Sequence, residues 1–129
     1  MYQNTDWVKA ITKLSRLTSE GSIQWRPYAE AVRNLPHPDD RVDHAYSARH
    51  GDKEYIIYKL IIREYNAEND EMFNDLGFYL NIYKFGLLGD LTFLARSPRL
   101  PAARDLYRAV EKKFAFEANA LGDLLDDEG

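Results

Sequence analysis

Apolar residues recur at helical spacing near the start of the chain, where Trp7, Ile11, Leu14 and Leu17 follow Thr5 and Asp6 and precede Gly21. Thr and Asp suit a helix N-cap and Gly a C-terminal stop, so the spacing predicts an amphipathic helix over 6–20. The period then changes. Ile23 and Trp25 alternate with polar neighbours over 22–26, which predicts a short strand ended by Pro27. A brief helical turn is expected over 28–35. The stretch Leu35-Pro36-His37-Pro38-Asp39-Asp40 should be loop, because its prolines and aspartates oppose regular structure.

From Val42 the pattern becomes extended. Gly51-Asp52 reads as a two-residue hairpin turn, which sets Arg49 opposite Glu54, Ala48 opposite Tyr55 and Tyr46 opposite Ile57. Residues 54–65 include the run Tyr55-Ile56-Ile57-Tyr58-Lys59-Leu60-Ile61-Ile62, whose β-branched and aromatic content favours a strand. The acidic segment 66–75 is expected to be a long connection, followed by strands over 76–85 and 91–95. Ser97 and the prolines at 98 and 101 suit a helix start. Ala103, Leu106, Val110, Phe114, Leu121 and Leu125 continue the stripe, giving a helix to about residue 121, while the acidic end over 124–129 opposes the helix dipole and should fray. The order of elements predicts a single α+β domain over 1–129, with a mainly antiparallel sheet of three to five strands flanked by an N-terminal and a long C-terminal helix.

Composition narrows the function classes. A chain of 129 residues can build one core. The 21 acidic residues outnumber the 17 basic ones, and a net charge of −4 lowers the expectation of nucleic acid, whose phosphates call for a basic patch. With no cysteine there can be no disulfide, thiolate nucleophile, zinc–thiolate site or iron–sulfur cluster. No apolar run approaches the roughly 18 residues that span a bilayer, and the opening MYQNTDWVKA lacks a basic-then-apolar secretion signal. These features predict a cytoplasmic protein without a membrane partner.

The candidate chemistry is sparse. His37, Asp39, Asp40 and His44 lie in one window, and imidazoles with carboxylates can ligate a metal or exchange protons. Their placement on a proline loop and a strand, without a helical His-x-x-x-His, favours a solvated loop, so neither a metal nor a cofactor is expected. Gly86-Leu87-Leu88-Gly89-Asp90 lacks the Lys-Ser/Thr of a phosphate loop, and Glu68-Asn69-Asp70-Glu71 lacks the frame of a calcium loop. Arg104, Arg108 and Lys112 recur every fourth residue as a basic stripe, the ordinary pattern of a solvated helix face.

The strands carry the more specific pattern. Ile56, Tyr58, Leu60 and Ile62 alternate as one apolar set, and Leu76, Phe78, Leu80 and Ile82 as another. If the remaining positions share the opposite face, Tyr46, Tyr55, Lys59, Arg63, Tyr79, Asn81 and Tyr83 interleave aromatic and polar groups there. Tyrosine combines wide apolar area with a polar tip, which suits a binding surface. The expectation is therefore a small, acidic, non-catalytic binding protein of inhibitor, immunity, anti-defence or adaptor type, docking a protein partner through this face. The alternatives are a metal-dependent hydrolase built on His37–His44, or a single-stranded nucleic-acid binder stacking bases on Tyr55, Tyr79 and Tyr83.

Overall fold

The structure, a computed structural model, describes residues 1–125. Of the fraying expected over 124–129, the part at 126–129 lies outside the described residues. The chain runs α1 (Asn4–Ser19), β1 (Arg26–Pro27), β2 (Arg41–His50), β3 (Lys53–Asn66), β4 (Glu71–Phe85), β5 (Leu91–Arg96), α2 (Pro101–Glu117) and α3 (Gly122–Leu125). The strands form one antiparallel sheet in the order β1-β2-β3-β4-β5. The fold is α+β, as the pattern predicts, although the C-terminal helix is of modest length.

Helix α1 begins slightly earlier than its apolar stripe, because Asp6 accepts the Gln3 backbone N–H at 2.8 Å and closes the first turn. Trp7, Ile11 and Leu14 of α1 meet Ala103, Leu106, Tyr107 and Val110 of α2 over one sheet face, whose buried members include Tyr46, Ala48, Ile57 and Leu80. Thr18 closes this layer: its hydroxyl donates to the Leu14 carbonyl at 2.7 Å and accepts the Trp25 indole N–H at 2.9 Å. Helix α2 stops at Glu117, near Asn119 in the left-handed region (φ 56°), so the stripe ends at Phe114 and leaves Leu121 and Leu125 exposed.

The opposite face is also covered, though by irregular chain. Residues 28–35 form no helix; Tyr28, Val32 and Leu35 pack instead over Ala45, Ile56, Tyr58, Leu60 and Tyr83. The short strand falls at Arg26–Pro27, where it pairs with Tyr46 and Ser47, rather than over 22–26.

The segment expected as a long connection is a tight turn over 67–70 between two long strands. Asn66 stands opposite Glu71, and the turn is held by the Tyr65 hydroxyl on the Asp70 carboxylate and by the Glu68 N–H on the Asn66 side chain at 3.0 Å. Since β2 pairs only as far as Ile61 and β5 only as far as Asn81, the rest of this hairpin projects as a two-stranded arm. Its polar composition conceals it, because backbone pairing rather than a buried face defines it.

An open strand edge invites unwanted pairing. At Leu76 this edge is plugged: the N–H donates to the Asp75 carboxylate at 2.8 Å, and the carbonyl accepts from Arg99 at 2.6 Å, while Arg99 also pairs with Asp75 at 2.7 Å. Arg99 and the Leu76 N–H hold the Asp75 carboxyl below its ordinary range. A lowered carboxylate pKa means that the interaction is complete above about pH 4 and is lost as the pH falls below it. We expect Arg99→Ala or Asp75→Ala to raise the sedimentation coefficient at neutral pH as concentration increases. Acid well below pH 4 should do the same to the unaltered chain, and concentration-independent sedimentation of both variants would show that the plug guards nothing.

Candidate functional site

The register decides what the tyrosines can do. Residues of β3 and β4 that face each other include Tyr55 and Ile82, Ile57 and Leu80, Lys59 and Phe78, Tyr58 and Tyr79, and Glu54 and Tyr83. Directly opposed residues share a face in an antiparallel pair, so odd positions of β3 lie with even positions of β4. The expected single surface is therefore divided. Tyr46, Tyr55 and Lys59 lie on the helix side, with Arg63 on the same side of the exposed arm, whereas Tyr79, Asn81 and Tyr83 lie on the other.

On the helix side, Tyr46 is buried against Tyr107 and Phe114, and Tyr55 is packed at the edge of the same core. Burial raises the hydroxyl pKa of both. Lys59 binds Asp43 at 3.1 Å and sits 5.8 Å from the Tyr107 ring centre. His44 packs edge-on against Tyr46, whereas the Asp40 carboxylate accepts the His37 backbone N–H at 3.2 Å. Among the described residues, no three His, Asp or Glu side chains converge as a metal-binding group. Of the basic stripe, Arg104 leans on its neighbour Asp105 at 3.8 Å, and Arg108 and Lys112 are exposed.

On the other side, Asn81 has 0% exposure and acts as a hub. Its side-chain oxygen accepts the Tyr58 hydroxyl at 2.8 Å, and its amide donates to the Arg33 carbonyl and the Tyr83 oxygen, both at 3.0 Å. The Tyr83 hydroxyl donates in turn to the Arg33 carbonyl at 2.8 Å. Arg96 holds the next carbonyl, that of Asn34, at 2.8 Å, which fixes a loop passing through the left-handed region at Asn34 (φ 62°). Tyr79 stacks on Tyr58 with 6.0 Å between ring centres, and its ring fills the space beside Gly77, where a Cβ would come within 2.9 Å of it.

No protein-family model matches this sequence, and no curated protein or solved structure matches it. The site is thus read from its own chemistry.

The tethered loop and the β4–β5 hairpin enclose a recess of about 520 Å³. Its aromatic walls are Tyr28, Tyr83 and Phe93, and its charged side chains are Glu30, Arg33 and Asp90. Tyr83 and Phe93 meet edge to face at 5.7 Å, because Leu94 is bulged out of β5 and brings Phe93 opposite Tyr83. Beside the recess, the hairpin turn is closed by the Gly86 N–H on the Asp90 carbonyl at 2.8 Å and the Gly89 N–H on the Gly86 carbonyl at 3.1 Å. Leu87 and Leu88 at its tip are exposed almost without protein contact. Of the three recess rings the sequence pattern places Tyr83 alone on a candidate binding face. Tyr28, Glu30 and Phe93 carry no periodic signal, since the first two lie on irregular chain and the third beside a bulge; the paired leucines of a Gly-Leu-Leu-Gly turn were the available clue.

Proposed function

We propose that this chain is a non-catalytic binding protein, of inhibitor or adaptor type, that docks a protein partner at the corner formed by the 28–34 loop and the β4–β5 hairpin. The observation that carries this reading is the Leu87-Leu88 tip. Two adjacent large apolar side chains stand in solvent on a turn closed by its own hydrogen bonds, where they contribute nothing to the core. Such residues gain by entering an apolar pocket on another protein, and the rigid turn lowers the entropic cost of placing them there. The neighbouring recess adds aromatic and charged groups, the composition of an interface centre with its rim. A reducing cytoplasmic setting suits a chain whose stability owes nothing to disulfides. Among the described residues no helix is long and apolar enough to cross a membrane.

The test is affinity capture with the full chain against its double variant Leu87→Asp, Leu88→Asp. These side chains touch solvent, so the melting temperature should stay within a few degrees, whereas affinity for a stoichiometric partner should fall by about fivefold or more. Equal capture by both proteins would move the docking surface elsewhere.

A further inference from the structure

We propose that the recess between the 28–34 loop and the β4–β5 hairpin is an aromatic cage for an alkylammonium cation, presented by the docking partner as a lysine side chain and held best when that lysine is methylated. This inference rests on the docking reading above and specifies what the recess takes. Three rings wall it, and the face of an aromatic ring carries negative charge that attracts a weakly hydrated cation. The charge balance agrees. Among the lining side chains Glu30 and Asp90 stand against the guanidinium of Arg33, with that of Arg96 engaged behind them on the Asn34 carbonyl, and Glu30, Asp90 and Arg33 join no ion pair among the described residues. Glu54 lies buried opposite Tyr83 on the same sheet face, where Arg49 pairs with it at 3.7 Å. Burial first, then Glu30 and Glu54, push up the Tyr28 hydroxyl pKa, while Arg33 pulls it the other way.

The hydrogen bonds narrow the ligand further. Tyr83 donates its proton to the Arg33 carbonyl and accepts from Asn81, so it forms the buried inner wall of the recess and offers no free hydroxyl. A phosphate would meet two carboxylates against one lining guanidinium. A methylated ammonium has no such conflict: each added methyl group removes an N–H that would require a partner and increases contact with the rings. The volume, about 520 Å³, lies in the range of small-ligand sites and admits the methylene stem along with the head.

The experiment is an NMR titration of the full chain with N-acetyl-trimethyllysine amide, its unmethylated parent, its neutral tert-butyl isostere and adenosine monophosphate. The expected result is saturable shifts of the Tyr28, Tyr83 and Phe93 rings with trimethyllysine, about tenfold weaker binding of the neutral isostere, and intermediate binding of lysine. Phe93→Ala and Glu30→Gln each alter an exposed residue and should weaken the cation about fivefold while leaving the amide spectrum elsewhere unchanged. Equal affinity for the cation and its isostere, tighter binding of the nucleotide, or no shift at the three rings would overturn the cage. If the rings stay silent while the Leu87/Leu88 variant still loses its partner, the cage falls and docking stands. If the cation binds but that variant keeps its partner, the cage stands and the docking surface is wrong.

Discussion

Asn81→Leu should destabilise the protein by about 3–5 kcal/mol and release the 28–35 loop from the sheet. The two side chains share one branched skeleton and leucine is the bulkier, so no cavity is expected and the main loss is one of hydrogen bonding. The Tyr58 hydroxyl, buried with 0% exposure, would lose its acceptor, and the Arg33 carbonyl and Tyr83 oxygen would each lose a donor. A buried polar group left unsatisfied costs about 1–3 kcal/mol; the Tyr58 hydroxyl is stranded outright, and the Arg33 carbonyl and Tyr83 hydroxyl keep only their bond to each other. Urea denaturation measures the total, and brief trypsin treatment reports the location, since Arg33 should be cut well before the strands. The recess would lose its tethered wall in the same step, so trimethyllysine shifts at Phe93 should collapse as well. Stability within about 1 kcal/mol of the parent, with Arg33 still protected, would show that the loop is held by packing rather than by this amide.

Leu80→Ala tests the opposite face. Leu80 lies opposite Ile57, and both are fully buried in the layer that includes Leu106 and Val110 of α2. Truncation should cost about 2–5 kcal/mol, depending on how far α2 settles into the gap. Thermal unfolding followed by circular dichroism measures this. Because Leu80 and the recess lie on opposite sheet faces, cation affinity should remain unchanged at temperatures where the variant is folded. A parallel loss of binding would mean that the two layers are coupled through the sheet.

Local chemistry in the sequence was enough to place most elements. The Gly51-Asp52 turn sets the β2–β3 register, and Arg49 opposite Glu54, Ala48 opposite Tyr55 and Tyr46 opposite Ile57 all follow from it. The β3–β4 register had no such marker, since the first part of β4, over 71–75, resembles a connection. With its turn confined to 67–70, odd residues of β3 meet even residues of β4. Alternation alone gave no warning, because both sheet faces are covered, and so both sets in each strand are rich in apolar residues. The recess was less legible still. Tyr28 and Glu30 reach it on irregular chain, and that path is fixed by Asn81, some 50 residues away, through contacts that no local pattern encodes.

The strictly sequential strand order has a further consequence during synthesis. Each strand pairs with the next, so the sheet can assemble from short-range contacts as the chain emerges. The cover of one face cannot. Helix α1 precedes the sheet in the chain and α2 follows it, and they are joined by contacts as distant in sequence as that of the Lys113 ammonium on the Thr18 carbonyl. Until residues near Val110 leave the ribosome, Tyr46, Ile57 and Leu80 form an incompletely covered apolar sheet surface. A nascent chain stalled before α2 would therefore be sticky on that side, whereas the loop that covers the other face has already been synthesised.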